Sequence, residues 1–118
     1  MRLEKKTTGK DGEELAVDYL QKKGYRILER NYRFEHGEID IIADDNGSLV
    51  FIEVKTRRSK KFGEPEDAVT LRKRNQLKKT ADGYLYQRNI DDRECRFDVL
   101  AIEYEKNTPI IRHIENAF

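Results

Sequence analysis

The chain has 118 residues, with 24 Lys and Arg against 23 Asp and Glu for a net charge of +1; that balance gives no global pull toward a polyanion, so any contact with nucleic acid has to come from local clusters. The length suits one domain over residues 1–118 with a modest core and excludes two separate cores, while 40 % charged residues call for long polar faces. A single cysteine, Cys95, excludes an internal disulfide and every multi-cysteine zinc motif and is expected to be a buried structural thiol, and the lack of any apolar leader or span-length run points to the cytoplasm.

Residues from about Lys10 to Lys23 carry Leu15, Ala16, Tyr19 and Leu20 at helical spacing, and Gly24 supplies a stop signal. On that helix Glu13 precedes Ala16, Val17 and Leu20 by three, four and seven positions, which sets it on the inward edge; Glu14 falls in line with Asp18 and Gln21 on the wet side. Tyr25 to Phe34 predicts a first strand. Glu38 to Ile42 and Leu49 to Lys55 predict a second and a third, joined through Asp44-Asp45-Asn46-Gly47. The third is apolar on one face, Val50, Ile52 and Val54, and partly so on the other, Leu49 and Phe51, as expected of a central strand, which makes Glu53 and Lys55 costly interruptions. Gly63-Glu64-Pro65-Glu66 punctuates the chain ahead of a second helix from about Glu66 to Arg88. Its inward line reads Thr70, Lys73, Leu77, Ala81 and Tyr84, while Arg72 and Lys79 point away. Cys95 to Ile102 predicts a fourth strand and Pro109 to Ile114 a short fifth at an edge. The order α-β-β-β-α-β-β describes an α/β fold, a mixed β-sheet with flanking helices.

With Asn46-Gly47 as the two-residue loop of a type I′ turn, paired positions sum to ninety-three. Asp40 then faces Glu53 and Glu38 faces Lys55, all four on one side of the sheet. Like charges directly opposed across a sheet destabilise the pair, so a cation is expected between Asp40 and Glu53. Paired carboxylates with a third available suit Mg²⁺ or Mn²⁺ better than zinc. Such an ion on a phosphodiester polarises a non-bridging oxygen and lowers the pKa of a water, and Lys55, two residues from Glu53, would stabilise the charge that develops. The competing reading is a salt-bridge lattice on an exposed sheet face with no metal. Against it, a lattice built for stability would set Asp40 opposite Lys55. His36 reads as a loop-end polar residue with a ligand role as the rival, and Asp98 as a paired strand acid.

Asp40 followed by Glu53-Val54-Lys55 resembles the PD-(D/E)xK nuclease superfamily, which has the restriction-endonuclease-like fold. More closely, several separated motifs in order are similar to the YraN-like family of small bacterial proteins: Gly12-Glu13, Gly37-Glu38-Ile39-Asp40, Phe51-Ile52-Glu53-Val54-Lys55-Thr56-Arg57, Phe62-Gly63, Lys73 and Arg96-Phe97-Asp98-Val99. Ile39 stands where the superfamily's name motif has proline. The resemblance implies a fold like that of archaeal Holliday-junction resolvases and a metal site of Glu13, Asp40, Glu53 and Lys55.

Two basic clusters supply local charge: Lys55, Arg57, Arg58, Lys60 and Lys61, and on the second helix Arg72, Lys73, Arg74, Lys78 and Lys79. The leading expectation is a Mg²⁺-dependent endonuclease acting on DNA, branched or structured DNA included. Asp40, Glu53 and Glu13 would be its metal ligands, Lys55 its charge stabiliser, and Arg57, Arg58 and Lys73 its nucleic-acid contacts. Engaging both strands would suit a two-fold homodimer. The rival is a non-catalytic nucleic-acid-binding protein that retains the nuclease fold and docks through the basic helix, with RNA as another possible target.

Overall fold

The structure, a computed structural model, describes residues 3–57 and 69–118, with side chains from residue 12 onward. Arg58, Lys60, Lys61 and the stretch from Phe62 to Glu66 lie outside the described residues. The elements are α1 (Leu3–Lys22), β1 (Arg26–Phe34), β2 (Gly37–Asp45), β3 (Ser48–Arg57), α2 (Leu71–Gln87), β4 (Cys95–Glu105) and β5 (Thr108–Ile114), in the expected order.

The five strands form one sheet in the order β1-β2-β3-β4-β5. Every neighbouring pair is antiparallel except β3 and β4, which run parallel. A parallel pair cannot be closed by a tight hairpin, and α2 lies in the crossover between them. The central strand β3 feeds both cores: Val50 and Ile52 pack with Ala16 and Leu20 of α1, whereas Leu49 and Phe51 pack with Leu77, Ala81 and Tyr84 of α2. One helix therefore covers each face, and every fully buried Leu or Ile in these clusters contributes roughly 1.5–3 kcal/mol of transfer free energy. Among the described residues, no helix is long and apolar enough to cross a membrane.

The helix ends follow from local chemistry. Gly24 takes φ +99°, the Gly24 N–H reaches the Gln21 carbonyl at 3.0 Å and the Tyr25 N–H reaches that of Leu20 at 2.9 Å, a Schellman ending to α1. The expected start near Lys10 falls short, because α1 begins at Leu3. The expected start of the second helix near Glu66 falls outside the described residues, and α2 itself begins at Leu71. Thr70 is extended, with ψ 165°, and its hydroxyl accepts the Lys73 N–H at 3.2 Å, so this N-cap sets the first turn of α2. Thr70 is accordingly an exposed cap and no part of the inward line, which runs through Leu77, Thr80, Ala81, Gly83 and Tyr84. Cys95 is exposed, not buried. As the first residue of β4 it stands at the end of the sheet and lines an open cavity of about 260 Å³ beside α2 instead of filling it.

Candidate functional site

The hairpin of β2 and β3 turns on Asn46 (φ 49°) and Gly47 (φ 100°), both left-handed as a type I′ turn demands. Its register runs from Asp45↔Ser48 through Ile42↔Phe51 to Ile41↔Ile52, the predicted pairing. The ladder then stops one residue short of Asp40. There the Asp40 carboxylate takes the place of a backbone acceptor, receiving the Val54 N–H on Oδ2 at 2.8 Å. In the neighbouring ladder the register holds from Arg30↔Ile41 to Tyr32↔Ile39 across Asn31, which has φ 53°.

Side-chain alternation slips at the same residue. Ile41 belongs to the α1 core, yet Ile39, two residues away, belongs to the α2 core. Gly37 also faces α2, since a β-carbon there would collide with Thr80 Oγ1. Glu38 lies between Gly37 and Ile39 and so turns to the opposite side, where it meets Arg33 at 3.8 Å. The expectation that Glu38, Asp40, Glu53 and Lys55 share one face, with Glu38 opposite Lys55, is overturned for Glu38. Asp40, at the slip itself, stays beside β3.

Burial is the main force pushing the Asp40 carboxyl up to about 6; the negative charge of Glu53 adds to it, the Val54 N–H opposes it, and Glu13 and Glu38 add smaller contributions. Glu53 is itself buried at 7 % exposure. Its Oε2 is met by two ammonium groups, Lys55 Nζ at 3.6 Å and Lys73 Nζ at 3.8 Å from α2. Part of the expected cation is thus supplied by the protein, but it serves Glu53. Among the described residues Asp40 has no ion-pair partner, and Asp40 Oδ1 and Glu53 Oε1 have no hydrogen-bond partner.

Glu13 is held near Asp40 by other groups. α1 comes close enough to β3 that a β-carbon on Gly12 would strike Thr56 Oγ1, while Glu13 Oε1 accepts from Asn31 Nδ2 at 3.2 Å and Arg30 at 3.4 Å. Glu14 is exposed and shares Arg30. Among the described residues, no three His, Cys, Asp or Glu side chains converge as a ready metal cluster. The donor set that does form is two carboxylates with one open oxygen each. That fits Mg²⁺, which commonly takes one or two carboxylates and fills the rest of its octahedron with water or phosphate oxygens.

Arg57 is engaged elsewhere: it is 13 % exposed and gives Nη2 to Glu103 Oε2 at 2.9 Å, on the strand that lies parallel to its own. Arg58 lies outside the described residues. His36 is exposed in the turn before β2 and offers its carbonyl to Gln76 Nε2 at 3.1 Å. Asp98 is fully buried, accepting from Arg96 Nε at 3.1 Å, from the Asn116 N–H at 3.1 Å and from His113 Nε2 at 2.7 Å. Burial works to raise its carboxyl, but these donors outweigh it and hold the group below its ordinary value. The sequence reading did not find the roles of Asn31 and Glu103. The one signal for Asn31 is asparagine's tolerance of the left-handed region.

Fold and site together define a mixed α/β protein, mostly antiparallel in its five-stranded sheet, with a carboxylate pair and two ammonium groups at a break in its central hairpin. The chain belongs to the family described as "Uncharacterised protein family UPF0102", the YraN-like family, whose model matches residues 12–102. It is 54 % identical over 112 residues to a UPF0102 protein of Thermodesulfovibrio yellowstonii, covering 93 % of this chain and 94 % of the relative. Against the UPF0102 protein of Geobacter metallireducens it is 48 % identical over 118 residues, covering 100 % and 97 %; against that of Persephonella marina it is 47 % identical over 110, covering 93 % and 91 %.

Proposed function

We propose that the chain is a Mg²⁺- or Mn²⁺-dependent endonuclease of restriction-endonuclease-like fold that hydrolyses phosphodiesters in DNA, branched or structured DNA among its substrates. The observation that carries this is the Asp40 and Glu53 pair, two crowded carboxylates at a break in the ladder, one of them pushed up to about 6 and each with an open oxygen. Natural sheets avoid such pairs unless a charge is to be bound.

Asp40 and Glu53 would hold the divalent ion through those open oxygens. When bound, the ion supplies a Lewis acid for a phosphate oxygen and acidifies a water. Lys55, 30 % exposed and 3.6 Å from Glu53, would stand ready to meet charge developing on the phosphate. Lys73 holds the other side of Glu53 and ties α2 to the site. Glu13, fixed by Arg30 and Asn31, is suited to orient a water and not to join the pair. Two copies related by a two-fold axis would present two such sites to the two strands of a duplex.

One observation favours the rival, a non-catalytic nucleic-acid-binding protein: Glu53 already has two ammonium partners without any metal. Labelled linear duplex, four-way junction and RNA incubated with wild type, Asp40→Asn and Lys55→Met, in Mg²⁺, Mn²⁺ or EDTA, separate the two. Metal-dependent cleavage that falls by about 10²–10³-fold in Lys55→Met, the size of loss seen for removing one charge-stabilising group, and disappears in Asp40→Asn supports the enzyme. Equal cleavage by Asp40→Asn, or calorimetry with no metal heat from the wild type, overturns it.

A further inference from the structure

Between the β1–β2 turn and α2 lies a cavity of about 670 Å³, lined by Phe34, His36, Arg72, Asn75, Gln76 and Lys79 among others. From this groove we infer a second polynucleotide contact, one that takes successive phosphates of a strand leading to or from the carboxylates; it rests on the endonuclease reading and extends it to Arg72 and Lys79.

Charge is the first argument. α2 carries Arg72, Lys73, Arg74, Lys78 and Lys79 against the lone acid Asp82. Lys73 is used on Glu53, and Arg74 gives its Nε to the Val69 carbonyl at 2.9 Å. Arg72 and Lys79 are exposed and, among the described residues, have no carboxylate partner. Glu35, also on the lining, leaves the groove with an excess of positive charge.

Spacing is the second. Positions 72, 75, 76 and 79 stand three, four and seven apart and so form one stripe of the helix, about 10 Å long at 1.5 Å per residue. Asn75 and Gln76 add amide donors between the two cations. The lining is also pre-shaped. Gln76 is bonded to the His36 carbonyl, Gly37 is pressed on Thr80, and Gly83 leaves room for the Phe34 ring. Fixed walls carrying unpaired cations suit an anionic strand, since little ordering cost is left to bind it.

Position is the third. Gly37 lines the groove and opens β2, and Asp40 follows three residues along, roughly 10 Å at strand rise. That span is about three nucleotides of duplex at 3.4 Å per step. A strand on Arg72 and Lys79 would therefore reach the carboxylates without leaving the protein surface.

The test is binding of a fluorescein-labelled duplex DNA, and of the same duplex as RNA, in EDTA across a salt series. The proteins compared are wild type, Arg72→Gln/Lys79→Gln and a charge-matched control, Lys22→Gln/Lys106→Gln, each checked for native circular dichroism. The groove variant should bind about tenfold or more weakly at low salt, with a slope of log K against log salt shallower by about two, while the control matches wild type. Wild-type affinity and slope in the groove variant, or equal loss in the control, overturns the inference. Because no metal is present, its fate is separable from that of the catalytic reading. Weakened binding in a protein that never cleaves keeps the groove and removes the enzyme; unchanged binding with Mg²⁺-dependent cleavage does the reverse.

Discussion

Asp40→Asn should make the protein more stable at neutral pH, although the change strikes the proposed metal site. Burial and the Glu53 charge raise the Asp40 carboxyl from 3.8 to about 6; at about 1.4 kcal/mol per pH unit, ionising it in the folded protein costs on the order of 3 kcal/mol. The Val54 N–H, which favours the ionised form, is already contained in that balance. Because the folded value lies above the unfolded one, this group's contribution is most favourable below pH about 4. It declines as pH rises to about 6 and is flat beyond. Asparagine cannot ionise, keeps a carbonyl for Val54 and escapes the decline. Urea unfolding in EDTA at pH 7.5 should therefore show the variant ahead by about 3 kcal/mol, a midpoint shift of roughly 1–2 M, with the gap closing near pH 4. Excess Mg²⁺ should narrow the gap from the other side, by stabilising the wild type alone. A variant that is less stable at pH 7.5, or a gap that does not change with pH, would refute the crowded-carboxylate account.

Gly83→Ala, a change that usually strengthens a helix by up to about 1 kcal/mol, should here cost about 1–2 kcal/mol, because the new β-carbon would sit 2.5 Å from the Phe34 ring; a gain in thermal unfolding would contradict the packing. Asp98→Ala should cost about 3–5 kcal/mol by stranding Arg96 and His113 around a buried vacancy. Since Asp98 is held below its ordinary value, its contribution is present above pH about 4 and lost as pH falls through the folded value. The variant's acid-unfolding curve should accordingly be flatter than that of the wild type.

Local patterns carried most of the architecture. Asn46-Gly47 set the hairpin register, the two-faced apolar run of β3 marked it as central, and Gly24 closed α1. What could not be read comes from competition between distant groups. The slip at Asp40 exists because a side-chain carboxylate outcompetes a backbone carbonyl for the Val54 N–H, and no spacing rule encodes that choice. Arg57 meets Glu103 because β3 and β4 pair in parallel with those two residues in register, a long-range pairing no local pattern encodes. In α2 the first turn is set by the Thr70 hydroxyl, a cap that the helical spacing of the apolar residues does not mark. The closeness of Lys55 to Glu53 was legible from their spacing; the turning away of Glu38 was not.

Both outer strands of the sheet are poor templates for a neighbour. β1 shifts register between Ile27 and Glu29 and bends again at left-handed Asn31, so its free edge is neither flat nor evenly spaced. At the other margin β5 has seven residues and includes Pro109, which has no N–H to offer, with Arg112 further along. Open edges are where chains recruit one another into cross-β aggregates, and kinks, prolines and charges are how natural sheets blunt them. In this chain, close to neutral overall and hence short of the mutual repulsion that keeps strongly charged proteins apart, the two ragged margins work against such edge-to-edge pairing.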